Sequence, residues 1–260
     1  MPMDGFLSRW TGADGGRIHA LSHTVRGGLP AVLLHGLAVS RRYLMPTARA
    51  LAARRSVVVP DLPGFGRSDK PGRAYDVGRH AEALSEWLDR CGLDRICLVG
   101  HSFGAEVAAR LAVRRPDVVA ALVLAGPTTD PAARTWPRLV ARFAGDVLVE
   151  QPWQTALLAE GIAAARPWRV AATVGHSLGN AIETDLVRLP VAPLVLGGGL
   201  DPIAPLRWRL EVAALSGGVA VTVPQAAHNV LTTSPRRSTQ AIEAHVRRLD
   251  AELSPRTPAA

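Results

Sequence analysis

Two short stretches carry a pattern that nucleophilic chemistry uses, VGHSFG at 99–104 and VGHSLG at 174–179. Both fit GxSxG, in which a strained turn between a strand and a helix presents a serine hydroxyl. A hydroxyl is a weak nucleophile until a base takes its proton. A histidine must therefore lie within reach, oriented by a carboxylate that stabilises its imidazolium. Asp201 and His228 lie downstream of both serines, so the order Ser, Asp, His holds for either choice. Order alone does not decide.

The flanks separate the two. Ser102 follows the apolar run ICLV (96–99) and precedes FGAEVAARL, a good helix former, while Gly100 and Gly104 let a turn tighten without side-chain collisions. Around Ser177, residues Trp168, Ala171, Gly175, Leu178, Ile182, Leu186 and Leu189 recur at intervals of three or four, with Glu183 and Asp185 between them. That spacing predicts one amphipathic helix running through 175–179 and ended by Pro190. A serine in mid-helix has no turn to project it and no free backbone N–H groups beside it. Ser102 is the expected nucleophile.

Its partners must come from the carboxyl ends of strands, the edge where ligands collect in α/β sheets. Asp201 follows a predicted strand at 193–196 through three glycines, and His228 follows a predicted strand at 219–223 in PQAAHN. Asp130, after a predicted strand at 118–125, is the alternative acid. His19, His23, His80 and His245 fall on strand or helix patterns away from that edge. His101 and His176 flank the serines and are expected to point into the fold. An acyl-transfer oxyanion also needs two preorganised donors. Phe103 N–H, just after the nucleophile, offers one, and Leu37 N–H, in the loop LLHGL (33–37), offers the other. His35 reads as a loop-packing histidine and Asp61 as a turn former.

The elements that must hold these residues alternate. Strands are predicted at 17–23, 31–34, 56–59, 95–99 and 118–125, and helices at 41–53, 76–91 and 103–115. Repeated β-α-β gives an α/β fold, a mostly parallel sheet with helices on both faces. From 128 to 189 the rhythm lapses, and Pro131, Pro137, Pro152 and Pro167 interrupt alanine-rich helical pieces. This reads as a helical insertion. Alternation resumes with a strand at 193–196, a helix at 205–215, a strand at 219–223 and a helix at 235–249. The expected division is a core at 1–127 and 191–253, a cap at 128–190, and a disordered tail at 254–260.

Hydrophobic residues make up 48% of the 260, enough for a substantial core, and the longest apolar runs fall far short of the ~18 residues of a membrane span. The N-terminal MPMDGFLSRW lacks the pattern of a secretory signal, so a soluble, cytoplasmic protein is expected. The net charge is +8, yet arginines come singly or in pairs and Lys70 is the only lysine. Without clustering, neither nucleic acid nor membrane is an expected partner. Cys91 and Cys97 read as buried thiols. There is no metal-ligand cluster, and Gly197–Gly199 lacks the lysine of a phosphate loop, so no cofactor is expected. The composition suits a homodimer as well as a monomer.

Taken together, HGL at 35–37, DLPGFGRSD at 61–69, GHSFG at 100–104, the DPIAP stretch from Asp201 and the AAH ending at His228 resemble the α/β-hydrolase family, over 5–249. The resemblance implies a triad of Ser102, Asp201 and His228, an eight-stranded sheet, and a lid between the sixth and seventh strands, where the proline-broken segment falls. It departs at Ala105-Glu106, where many members have a second glycine. Dehalogenase and epoxide-hydrolase branches carry aspartate at the elbow. The resemblance therefore implies a serine-nucleophile hydrolase, cleaving a carboxylic ester, thioester or lactone through an acyl-enzyme without a cofactor. One alternative is carbon–carbon hydrolysis of a vinylogous diketone with the same triad, in branches that commonly carry tryptophan where this chain has Asn229. Another is a non-catalytic binding protein on the same fold. Trp136, Phe143, Trp153 and Trp168 suggest a small apolar acyl or aromatic substrate under the lid, although lid packing explains the same residues.

Overall fold

Short runs of aliphatic and β-branched residues become the strands of one sheet, and the longer amphipathic stretches pack across its faces. The computed structural model describes residues 5–13 and 15–253. Its strands are β1 (Leu7–Ala13), β2 (Gly16–His23), β3 (Ala31–Leu34), β4 (Val57–Pro60), β5 (Ile96–His101), β6 (Val119–Ala125), β7 (Leu194–Gly198) and β8 (Val219–Val223). They lie in the order β1-β2-β4-β3-β5-β6-β7-β8. β2 pairs antiparallel with β1 and β4, and every other pairing is parallel.

β1 was not legible as a strand. It is an edge strand with mostly exposed side chains, so it lacks the apolar alternation that marks β2. The central strands β3, β5 and β7 are buried along their whole length. Their residues alternate between two cores: Ile96 and Leu98 join Trp87, Phe103 and Trp208 on one face, whereas Cys97 and Val99 join Leu33, Leu44 and Leu231 on the other.

The helices are α1 (Met45–Ala52), α2 (Val77–Cys91), α3 (Phe103–Arg114), α4 (Trp136–Val149), α5 (Trp153–Ala165), α6 (Pro167–Leu178), α7 (Glu183–Leu186), α8 (Leu206–Ser216), α9 (Val230–Thr233) and α10 (Pro235–Leu253). Asp76 caps α2 by accepting from Arg79 N–H, and Gly92 ends it in a left-handed conformation. The single helix expected over 41–53 is a 3-10 turn at Arg41–Leu44 followed by α1, with Pro46 in its first turn.

α4 to α7 lie between β6 and β7. Here the expected helix over 168–189 divides in two. α6 ends at Leu178, with Gly179 as its cap, and α7 begins only at Glu183. Tertiary contacts override the periodicity: the Asn180 amide donates to Glu106 Oε2 (2.8 Å), and Ile182 is fully buried. The residues expected to form a disordered tail, 254–260, lie outside the described ones. Among the described residues no helix is long and apolar enough to cross a membrane.

β3 and β5 are neighbours, but the chain leaves β3 for β4 on one side and the sheet grows through β5 on the other. Such a reversal opens a crevice beyond the carboxyl ends of the two strands. The loop at 35–37 and Ser102 both stand there.

Candidate active site

Ser102 sits between the last residue of β5 and the first of α3 with φ 57° and ψ −123°, a conformation that costs energy in any residue with a side chain. The turn is held by crowding. A β-carbon on Gly100 would stand 2.2 Å from the Gly104 carbonyl oxygen, and one on Gly104 would stand 2.6 Å from the carbonyl oxygens of Leu34 and His35. Elbow and loop 35–37 are therefore packed backbone to backbone. A β-carbon on Gly36 would lie 3.0 Å from that of Ser102.

His228 Nδ1 lies 3.0 Å from Asp201 Oδ2, and the other carboxylate oxygen of Asp201 accepts from Ile203 and Ala204 N–H at 2.9 Å each. Backbone donors thus fix the acid, and the acid fixes the ring. Burial alone would disfavour an imidazolium, but the Asp201 carboxylate, with Asp146 and Glu150 adding to it, raises the His228 pKa. Burial likewise works against the Asp201 carboxylate, and His228 outweighs it and holds the pKa down. His228 Nε2 is buried with no partner, and the residues His228 and Ser102 border one cavity of about 90 Å³. Gly126, at the end of β6, makes room for the pair, since a β-carbon there would come within 3.1 Å of the imidazole.

Asp130, the alternative acid, forms ion pairs with Arg142 (2.6 Å) and Arg207 (2.8 Å), and among the described residues the carboxylate bonded to the His228 ring is that of Asp201. Leu37 borders both cavities that reach Ser102, and Phe103 borders the smaller. The Gly36 N–H donates to the Tyr43 hydroxyl (2.9 Å), leaving Leu37 as the next donor along the loop. His35 packs as read: Leu62 N–H donates to its Nε2 (2.9 Å), and its Nδ1 donates to the Gly36 carbonyl (2.7 Å). Ser177 is buried in α6, and its hydroxyl donates to Glu106 Oε1 (2.5 Å).

Of the four aromatic residues read as substrate contacts, the structure brings only Phe143 to the cavity over Ser102. Trp136, Trp153 and Trp168 border neither cavity that reaches Ser102 and are each about half exposed. Two of these indoles are held by local partners. The Trp153 indole N–H donates to Gln151 Oε1 (2.6 Å), and the Arg169 guanidinium stacks 4.7 Å from the Trp168 ring.

Two sets of residues around the pair were not read from the sequence. Tyr43 hydrogen-bonds His101 Nδ1, and His101 Nε2 lies 2.9 Å from the carbonyl of His228, so this ring must donate through Nε2 and accept through Nδ1. Burial pushes His101 down to about 3 and keeps it neutral. A chain of contacts thus runs from the loop at Gly36 to the backbone of His228. From the opposite side, Asp146 Oδ1 accepts from His228 N–H (3.3 Å), Glu150 Oε1 accepts from Asn229 N–H (2.5 Å), and the Asn229 amide donates to Gln154 Oε1 (2.6 Å). Asp146 is in α4, Glu150 follows its last residue with extended backbone, and Gln154 is in α5, so the three converge across a break between helices that no single periodicity reports.

The profile of the alpha/beta hydrolase fold family matches residues 30–160. The chain is 33% identical to haloalkane dehalogenase 2 of Mycobacterium tuberculosis over 154 residues, 59% of this chain and only 52% of that protein, so it spans about half the length of the first relatives it matches. It is 32% identical to the 2-hydroxymuconate semialdehyde hydrolase of Pseudomonas putida over 218 residues, 74% of this chain and 77% of that one. Among solved structures, a thermophilic esterase from Thermogutta terrifontis is 27% identical with a TM-score of 0.77, covering 94% of this chain and 98% of that one. A bacterial membrane phospholipase A is 25% identical with a TM-score of 0.81, covering 95% and 87%. The shared fold runs nearly end to end in these structures and the sequence likeness spans three quarters of the chain in the hydrolase from Pseudomonas: this chain belongs to the alpha/beta hydrolase fold family.

Proposed function

We propose that this chain is a cofactor-independent serine hydrolase that cleaves a carboxylic ester, thioester or lactone through an acyl-enzyme on Ser102. The observation that carries the reading is that His228, whose ring is held by Asp201 and whose Nε2 has no partner, borders the same cavity as Ser102. Ser102 Oγ attacks the carbonyl carbon while His228 Nε2 takes its proton. The N–H groups of Leu37 and Phe103 receive the oxyanion, and the imidazolium returns the proton to the leaving oxygen or sulfur. Water then adds to the acyl carbon with His228 again as base, releasing the acid and restoring the serine.

α4 and α5 act as a lid in this reading. They supply Phe143, Val147, Leu157 and Leu158 to the cavity wall, which favours a small apolar acyl or aromatic group.

The second reading is carbon–carbon hydrolysis, favoured by the likeness to the Pseudomonas hydrolase. A panel of esters, thioesters, lactones and a vinylogous diketone, run beside fluorophosphonate labelling, tests both. Labelling at Ser102 with turnover of oxygen or sulfur esters is the expected result. Turnover of the diketone alone would transfer the assignment to the second reading. A folded protein that is neither labelled nor active would leave only a binding module.

A further inference from the structure

A second cavity, of about 280 Å³, adjoins the one over Ser102 and shares Val39, Tyr43 and Leu157 with it. The two differ in charge. The cavity over Ser102 is bordered by the carboxylates of Asp146 and Glu150 and by no arginine or lysine. Its neighbour is bordered by Arg41, Arg42 and Arg67 against one carboxylate, Glu160.

Arg41 is the fixed part of this second wall. It is 7% exposed, its backbone N–H donates to Asp61 Oδ1 (2.8 Å), and its Nη1 pairs with Asp61 Oδ2. Its Nε is buried without any partner. A buried guanidinium nitrogen left unpaired is costly unless something completes it, and the Arg41 side chain that carries it borders the cavity. Arg42 reaches across to Glu160 on α5. Arg67 is exposed: its backbone N–H donates to Asp61 Oδ2 (2.9 Å), and its guanidinium has no ion-pair partner among the described residues. The cavity therefore has two more guanidinium groups than carboxylates in its wall, and one more when Asp61 behind Arg41 is included.

We propose that this arginine-lined cavity is a subsite for an anionic group, of the carboxylate or phosphate class, at the end of the substrate remote from the bond cleaved at Ser102. The assignment to substrate rests on the hydrolase reading above; the anion site itself does not. Geometry and charge fix the orientation. The shared wall puts the anion in the cavity next to the one over Ser102, while Asp146 and Glu150 repel it from the His228 side. Planar guanidinium groups match a carboxylate or phosphate with paired charge-assisted hydrogen bonds.

The test uses monomethyl and dimethyl esters of straight-chain diacids from succinate to suberate, so that each length offers one anionic and one neutral ester. At the length that spans the two cavities, the anionic member should be favoured by about tenfold in kcat/KM, the effect of one charge-assisted contact. Added salt should weaken that preference. It should fall toward unity in the double variant Arg42→Gln/Arg67→Gln and persist in Arg138→Gln, which removes an exposed charge outside both cavities. Equal treatment of the two esters at every length, or a preference lost equally in Arg138→Gln, would overturn the subsite. Calorimetric titration of Ser102→Ala with suberate and with inorganic phosphate reads the site without turnover. Millimolar binding that is lost with the two arginines supports it, even if no ester is cleaved, in which case the hydrolase reading is the one that fails. Binding that ignores the arginines, or no binding, overturns the proposal. Phosphate that binds there without competing against the anionic ester would mark a free-anion site and reject the link to substrate.

Discussion

VGHSFG and VGHSLG differ in one residue, and the chain builds them in different ways. In the first, β5 ends, Ser102 adopts φ 57°, and α3 begins. In the second, Ser177 is one residue of α6 among ordinary helical neighbours. The glycines show the cause. A β-carbon at Gly100 would meet backbone atoms at 2.2 and 2.7 Å, whereas one at Gly175 would meet nothing within 4 Å. Glycine in the pattern is a requirement only where neighbouring backbone crowds it. The two copies also touch through an intermediary. Ser177 donates to Glu106, which is in the first turn of the helix that Ser102 starts, so the second serine fastens the inserted helices to the first serine's helix.

The largest expected difference is in activity. Ser102→Ala should lose at least ~10³-fold in kcat on whichever ester the panel selects, and Ser177→Ala less than tenfold. Equal losses in two folded proteins would erase the distinction between the copies. Next is stability at the elbow. Gly100→Ala forces a methyl into the Gly104 carbonyl and Ala105, and should cost at least about 2 kcal/mol or prevent folding, read from the urea midpoint. A tolerated alanine would mean that the turn is looser than the packing indicates.

Much of this contrast was legible in the sequence because it rests on local features: an apolar tetrad before Ser102, helix-forming residues after it, and a periodic spacing around Ser177. Asp201 and His228 were legible for a related reason, since each follows a strand signal at a predictable edge. What was not legible depends on contacts between distant segments. The break at Gly179–Asn180 follows from Glu106, 74 residues away from Asn180, and no periodicity reports it. The three tryptophans between β6 and β7 read as substrate contacts because size and apolarity do not reveal which way a helix faces when its partner surface is unknown. Glu106 itself was visible only as a departure from a glycine. Its role as a buried acceptor for Ser177, Thr128 and Asn180 needed the packed structure.

That acceptor gives a pH-dependent test of the second copy. Burial pushes Glu106 up to about 7 from 4.5, against three hydrogen bonds that favour its charge. The folded state therefore holds a proton that the unfolded chain has released. The stability this contributes is complete below about pH 4.5 and declines as pH rises toward 7, by about 2–3 kcal/mol. Glu106→Gln cannot titrate. Its stability relative to the parent protein should rise between pH 5 and pH 8, as followed by chemical denaturation at both. A constant difference would mean that the carboxyl titrates normally and that the Ser177 contact is not buried as described. Ser177→Ala, which leaves two donors in place, should cost about 1 kcal/mol.

The smallest effect is the most discriminating, because its sign differs from that at the elbow. Gly175 is exposed, is in the interior of α6, and has free space where a β-carbon would go. In an exposed helix interior, glycine costs roughly 0.5–1 kcal/mol relative to alanine, mostly through backbone freedom lost on folding. Gly175→Ala should therefore stabilise α6 by up to that amount. Because the inserted helices open locally more readily than a whole domain, the gain belongs in slower amide hydrogen exchange over 167–178 even where the global midpoint moves little. Destabilisation approaching that of Gly100→Ala would have one reading: the segment at 174–179 would be a crowded turn like its twin, and Ser177 would return as a candidate nucleophile. Stabilisation at 175 beside collapse at 100 would separate a motif from a coincidence of letters by a change of one methyl group in each.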